Sequence, residues 1–280
     1  MASTRRVAIV TGSSRGIGRS IAVRLAQDGF HVVINYQSNA SKAQEVIDEI
    51  AALPTTRVAG EPQDRVRAIA IKADISQIDE GQRLLDEIIA AFGRLDIVVL
   101  NAAWMMAQTI HELTEDSYLQ AFDTNVKGPL FFLKNVQPYL AQAQEDQKHL
   151  LPVQEGGSPV GGSRIITISS NLTSVSAVRE NYLTYCATKG ALEQITRVLA
   201  RDKAFGGKGI TVNTVAPGPT DTEGFRSGKD EAMLGFFKTL HPEGRLGRPD
   251  DISGVVSFLA SEDSRWVNGQ TIRVNGAMSV

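Results

Sequence analysis

Short runs of aliphatic and β-branched residues alternate along the chain with longer segments whose apolar positions recur at helical spacing. The pattern predicts strands over Val7–Val10, Val32–Ile34, Ala68–Ile71, Ile97–Leu100, Ile165–Ile168, Ile210–Val215 and Thr271–Val274. Between them it predicts helices over Ile17–Gln27, Ser41–Leu53, Gln82–Phe92, Thr114 to about Leu140, Tyr182–Phe205 and Asp250–Ala260. In the first helix Ile21, Val23, Leu25 and Ala26 are placed for burial, and Gly29 marks the stop. Strands this apolar, with no polar alternation, are covered on both faces, which is the situation of a parallel sheet. Regular alternation of strand and helix then predicts an α/β fold, a doubly wound and mostly parallel seven-stranded sheet with helices on both faces.

Two stretches break the rhythm. Pro54–Val66 is rich in proline, glycine and charge, and Gln144–Ser163 carries Gly156-Gly157 and Gly161-Gly162. Both read as surface insertions between a helix and the next strand. Neither flanks a shift in composition, and there is no internal repeat, so residues 1–280 are expected to form a single domain.

Composition narrows the function. Lysine and arginine number 29 against 31 acids, and this balance gives no electrostatic reason to expect nucleic acid or an anionic membrane as partner. Cys186 is the single cysteine, which excludes an intrachain disulfide, and His31, His111, His149 and His241 lack metal-ligand spacing, so no metal is expected. Met-Ala-Ser-Thr-Arg-Arg leads into too short an apolar run for a signal peptide, and no stretch is long and apolar enough to span a membrane. The expected compartment is the cytosol.

Candidate chemistry begins after the first strand, where Thr11-Gly12-Ser13-Ser14-Arg15-Gly16-Ile17-Gly18 opens a helix. Glycines here permit a tight turn and close approach of backbone to a pyrophosphate, which the helix N-terminus then attracts. The second strand runs on through Asn35-Tyr36-Gln37-Ser38-Asn39 with no acid to hold ribose hydroxyls, so nothing repels a 2′-phosphate. Arg15 can fork onto that phosphate, and Ser38 and Asn39 can add neutral hydrogen bonds, which favours NADP(H) over NAD(H). Further along, Tyr185 and Lys189 stand at i and i+4 on one helix face. A nearby ammonium is expected to lower a phenol pKa towards the range of acid–base work. Ser169-Ser170 closes the fifth strand, at the sheet edge where ligands sit.

Taken in order, these landmarks resemble the short-chain dehydrogenase/reductase family from Arg5 to Asn275, with the Thr-Gly-x3-Gly-Ile-Gly turn as the cofactor motif. The resemblance implies a Rossmann fold and an NADP-dependent oxidoreductase, a carbonyl reductase or alcohol dehydrogenase acting by hydride transfer on a small carbonyl or alcohol substrate. It makes Tyr185 the general acid or base and Lys189 its partner, which also holds the nicotinamide ribose. Ser170, the second of its pair, holds the carbonyl oxygen, and Asn125 binds a water linking the lysine to solvent. Gly12, Ser14, Arg15, Gly16, Ile17, Gly18, Ser38 and Asn39 fall to the cofactor, with Asp74 at the adenine. Asn101, Pro217, Gly218 and Thr220 complete that set, Thr220 at the carboxamide. Glu223–Arg248 resembles the variable substrate flap. Family members also pair their longest helices, here Thr114–Leu140 and Tyr182–Phe205, which implies a homotetramer or dimer.

Three features depart from the family or stay open. Ala103 stands where the family has glycine after Asn-Ala, and fourteen residues separate Ser170 from Tyr185, two more than usual. The extra pair is placed in Asn171–Asn181; Tyr182, the competing tyrosine, has no lysine four residues on. Trp104, Met105 and Met106 either wall an apolar substrate cavity, suited to an aromatic ketone, or pack in the core, and Cys186 reads as packing rather than as a nucleophile. The same residues serve reduction and the oxidation of a sugar or secondary alcohol, so direction stays open. A dinucleotide-sensing regulator without catalysis is the reading that the tyrosine, lysine and serine together disfavour.

Overall fold

Every predicted apolar run lies in one sheet. The strands are β1 (Val7–Val10), β2 (His31–Tyr36), β3 (Ala68–Lys72), β4 (Ile97–Leu100), β5 (Arg164–Ile168), β6 (Thr211–Pro217) and β7 (Thr271–Val274). Their order is β3-β2-β1-β4-β5-β6-β7, and all six pairings are parallel. The sheet is therefore wholly parallel rather than mostly so. The computed structural model describes residues 5–54, 67–148, 162–176 and 178–280. Most of the predicted insertion at Pro54–Val66 lies outside the described residues, as does 149–161 of the second.

The helices are α1 (Gly16–Gln27), α2 (Ala40–Ala52), α3 (Ile78–Phe92), α4 (Glu115–Phe122), α5 (Gly128–Lys148), α6 (Leu183–Leu199), α7 (Glu223–Arg226), α8 (Glu231–Thr239) and α9 (Pro249–Ala260). One face of the sheet packs on Ile21 and Leu25 of α1, Val46 and Ile50 of α2, and Val256 and Leu259 of α9. The other packs on Leu84 and Ile88 of α3 and on Phe132 and Val136 of α5. Fully burying each such side chain stabilises by about 1.5–3 kcal/mol, which is why both faces stay continuously apolar. Among the described residues no helix is long and apolar enough to cross a membrane.

Three sequence expectations are corrected. The long helix from Thr114 is interrupted by a π-turn over Asp123–Lys127 and then runs past Leu140 to Lys148. The π-turn follows from Asn125, whose side chain is anchored outside the helix as described below. The second insertion starts later than Gln144, because that residue is buried within α5 and its Oε1 accepts from the Ser163 N–H at 2.8 Å. The helix predicted to reach Phe205 stops at Leu199 and gives way to turns.

Strand order reverses direction between β1 and β4. The loops leaving these two neighbours turn to opposite faces and open a crevice at the carboxyl edge, the position where such sheets bind ligands.

Candidate active site

The glycine turn between β1 and α1 is held in shape by two asparagines and a threonine. Gly12 takes a left-handed backbone at φ +61°. Its N–H donates to Asn35 Oδ1 at 3.1 Å, and Asn35 Nδ2 donates onward to the Ala73 carbonyl at 3.0 Å. Asn101 Nδ2 donates to the Thr11 and Gly12 carbonyls at 2.9 and 3.2 Å, while Thr11 Oγ1 accepts from the N–H groups of Asn101 and Ala102. A Cβ on Gly18 would lie 2.5 Å from both Asn101 Nδ2 and the Gly12 carbonyl, so only glycine lets α1 start this close to the turn. No side chain caps α1. Its first-turn N–H groups have no partner within the helix and face the crevice with the positive end of the helix dipole. This cradle fits the pyrophosphate of a dinucleotide.

Two cavities lie along the crevice. One, of about 420 Å³, is lined by the glycine turn and by Ser38, Asn39 and Asp74. The other, of about 540 Å³, is lined by Ser170, Tyr185, Lys189, Pro217, Gly218 and Thr220. Arg15, Ile17, Asn101, Ala103 and Trp104 line both, so the two form one elongated site. Ser14, Gly16 and Gly18 belong to the first. The crevice thus brings together every predicted cofactor residue.

Some of these side chains are already engaged. Asn39 Oδ1 caps α2 by accepting from the Lys42 N–H at 3.0 Å. Asp74 accepts from the Ser76 N–H at 2.9 Å and from Gln37 Nε2 at 2.8 Å. Thr220 Oγ1 donates to the Gly218 carbonyl at 2.9 Å. Across the mouth of the crevice Lys42 Nζ pairs with Glu223 Oε2 at 2.5 Å, tying α2 to the start of the flap.

At the chemical end, Ser170 and Tyr185 line the same cavity, and the Ser170 Oγ accepts from the Leu172 N–H at 3.2 Å. The Ser169 hydroxyl donates to Glu193 Oε1 at 2.7 Å. Thr173 Oγ1 donates to the same carboxylate oxygen at 2.7 Å, so Glu193 fixes the chain on either side of Ser170. Lys189 is buried, its Nζ donating to the Ile168 carbonyl at 2.7 Å and standing 5.7 Å from the centre of the Tyr185 ring. Burial pushes the Tyr185 phenol up to about 12, the neighbouring Ser170 hydroxyl opposing it, and burial pulls Lys189 down to about 8. The expected lowering of the phenol by the ammonium is therefore corrected in direction: desolvation is the largest influence on Tyr185 and raises it.

Asn125 sits fully buried in the π-turn. Its Oδ1 accepts from the Trp104 N–H at 2.8 Å, and its Nδ2 donates to the Trp104 carbonyl at 2.8 Å and to Thr188 Oγ1 at 3.0 Å. The structure thus commits the amide to holding Trp104 beside α6. Trp104 and Met105 line the larger cavity together with Tyr182, Phe225, Phe237 and Met278. Met106 is exposed and lies outside that lining. Cys186 Sγ donates to the Leu172 carbonyl at 3.7 Å, and burial raises its pKa.

Sequence reasoning passed over Asn35, Glu193, Lys42 and Glu223. Asn35 had a signal, a polar residue inside an apolar strand beside the switch point. The others depend on partners distant in sequence and left none.

A parallel sheet with a glycine-built anion cradle at its switch point, beside a half-buried tyrosine and serine and a buried lysine, defines a dinucleotide-binding oxidoreductase. A family profile described as enoyl-(acyl carrier protein) reductase matches residues 12–279. The chain belongs to the short-chain dehydrogenase/reductase family. It is 38% identical to a short-chain type dehydrogenase/reductase of Picea abies, over 97% of this chain and 91% of that protein. It is 37% identical to a protein of Zymoseptoria tritici named "Probable tetrahydroxynaphthalene reductase", over 97% of this chain and 94% of the relative. Among solved structures, a short-chain dehydrogenase of Burkholderia cenocepacia in complex with NADP superposes with a TM-score of 0.80 at 31% identity, covering 98% of both chains. A dehydrogenase/reductase of Sinorhizobium meliloti gives 0.81 at 31% identity, covering 100% of this chain and 97% of that one.

Proposed function

We propose that this protein is an NADP(H)-dependent carbonyl reductase, with Tyr185 as general acid, Ser170 as hydrogen-bond donor to the carbonyl oxygen and Lys189 as their electrostatic and ribose-binding partner. The observation that carries the reading is that Ser170, Tyr185 and Lys189 line one cavity, continuous with the dinucleotide cradle. A nicotinamide dinucleotide, when bound, supplies or accepts the hydride; the remaining work falls to the chain's own residues. Tyr185 moves the proton at the carbonyl oxygen, and Ser170 steadies that oxygen as charge gathers on it. The aromatic and sulfur-bearing wall of the cavity suits an aryl ketone. The experiment that tests the reading is a panel of ketones with NADPH and of alcohols with NADP⁺, followed at the nicotinamide absorbance. No turnover with any aryl ketone would refute it.

The preference for NADP(H) rests on Arg15, which is exposed at the N-cap of α1, and on Ser38 and Asn39 across the crevice. A charge-assisted hydrogen bond is worth about 1.5–3 kcal/mol. Arg15→Ala is therefore expected to weaken NADPH by roughly tenfold or more and to leave NADH nearly unchanged in a fluorescence titration. Equal losses for both cofactors would defeat the assignment. The relative solved with NADP supports the same preference.

Exposed apolar side chains support a proposed assembly. Leu130, Phe131 and Tyr139 on α5 and Val198 on α6 are exposed, and Trp266 near β7 is 90% exposed. Apolar patches of this kind on a monomer call for cover. The proposed state is a cytosolic homotetramer or dimer, acting on a small carbonyl or alcohol with no nucleic-acid or membrane partner. Light scattering at micromolar concentration should give two or four chain masses, and a single chain mass would refute it.

A further inference from the structure

The flap end of the larger cavity carries a cation that the chemistry above does not use. Lys229 lies between α7 and α8 and lines the cavity beside Phe225, Phe237 and Met278. Its Nζ donates to the Phe225 carbonyl at 2.5 Å and stands 4.4 Å from the centre of the Phe225 ring. Phe225 meets Phe237 edge-on, with centroids 5.1 Å apart. Of the acids near it in sequence, Asp230 caps α8 by accepting from the Met233 N–H at 2.8 Å, Glu231 is exposed in the first turn of α8, Glu223 pairs with Lys42, and Asp221 pairs with Arg226 at 2.5 Å. Burial lowers the pKa of Lys229, and no acid offsets it. The side chain is an ammonium set against an aromatic wall, with one carbonyl and one ring face for company.

Such a group gains most from an anion brought into the same enclosure, where the attraction is screened less than in water. The other cations lining the cavity have their own places. Lys189 is held by the Ile168 carbonyl, and Arg15 stands in the glycine turn. A phenol with a pKa near 10 stays neutral at physiological pH, whereas a carboxylate is ionised. We propose that Lys229 anchors a carboxylate on the substrate, so that the enzyme prefers aryl ketones carrying an acid at the end remote from the carbonyl. The carbonyl then lies at Ser170 and Tyr185, the rings lie among Phe225, Phe237 and Met105, and the acid meets Lys229. This deepens the reading of the cavity as the carbonyl pocket and rests on it.

Binding tests the assignment without any need for turnover. The chain has two tryptophans; Trp104 lines the cavity and Trp266 is exposed, so quenching by a cavity ligand reports on Trp104. Naphthoate and its uncharged isostere naphthamide are titrated into the NADP⁺-loaded protein. Naphthoate is expected to bind roughly tenfold or more tightly than naphthamide. Lys229→Gln should bring the two affinities together, and Lys229→Arg should keep them apart, with NADPH binding serving as the check that both variants fold. Wild-type protein that binds both alike, or neither, would overturn the proposal. So would a preference that survives Lys229→Gln, or one that Arg15→Ala abolishes instead. A naphthoate preference in a protein that reduces no ketone would overturn the functional reading and leave Lys229 as an anion anchor. Ketone turnover with no naphthoate preference would overturn Lys229 alone.

Discussion

Tyr185→Phe is expected to lower kcat by about 10²–10⁴-fold or more while leaving the fold and NADPH binding intact. The substitution removes one hydroxyl and keeps the ring, so packing beside Lys189 survives, as does the carbonyl contact that holds the ammonium. What disappears is the hydroxyl that lines the cavity with Ser170, and with it the proposed proton for the carbonyl oxygen. The loss should fall on kcat rather than on the affinity for NADPH, since the cradle for the pyrophosphate is built by Gly12, Gly18, Asn35 and Asn101. Steady-state kinetics with one active aryl ketone, paired with a cofactor titration, separates the two effects. A variant that retains a tenth of wild-type kcat would remove Tyr185 from the chemistry.

The second large effect is expected at Lys189, and it has two readouts. Lys189→Met should lower kcat at least about hundredfold and weaken NADPH, because one side chain serves both the tyrosine and the ribose. It should also change how stability depends on pH. The native ammonium is pulled from 10.5 down to about 8 by burial. Between those values the unfolded chain binds the proton that the native chain has released, so native stability rises with pH across the window. Below about pH 8 the native lysine carries its charge in a buried place and that gain is absent. Methionine has nothing to titrate, so the variant should lack this part of the rise. Urea unfolding of both proteins at neutral pH and at about pH 10 measures it as the difference between them. Equal pH slopes would mean that Lys189 is not desolvated in solution.

Much of the site was legible in the sequence because its signals are local. The glycine turn follows a strand and opens a helix within eight residues, and Tyr185 and Lys189 are one helical turn apart. The choice of Ser170 over Ser169 rests on order in the motif; both serines line the cavity, and the Ser169 hydroxyl is engaged by Glu193. The sheet was equally plain, since most of its strands are short runs dominated by apolar residues. The π-turn was not, because one extra residue per turn leaves the apolar spacing around it almost unchanged. Its cause, the grip of Asn125 on Trp104, joins residues 21 positions apart. The sign of the Tyr185 shift was also missed. Spacing reveals that an ammonium is near, but it does not reveal how completely water is excluded, and here exclusion decides. Lys42 and Glu223, 181 residues apart, meet only because the flap folds back over α2.

The two tyrosines lining the cavity, Tyr182 and Tyr185, allow the most direct test of the chemistry. The two-residue excess between Ser170 and Tyr185 is expected in Asn171–Asn181, and a different register would hand the role to Tyr182. The measurement is a single turnover: NADPH-loaded protein is mixed with an aryl ketone, and the decay of the nicotinamide absorbance is followed in wild type, Tyr185→Phe and Tyr182→Phe. The expected result is a decay in wild type, one within a few-fold of it in Tyr182→Phe, and none on the same timescale in Tyr185→Phe. A silent Tyr182→Phe beside an active Tyr185→Phe would contradict the assignment of the proton donor and, with it, the reading of the site.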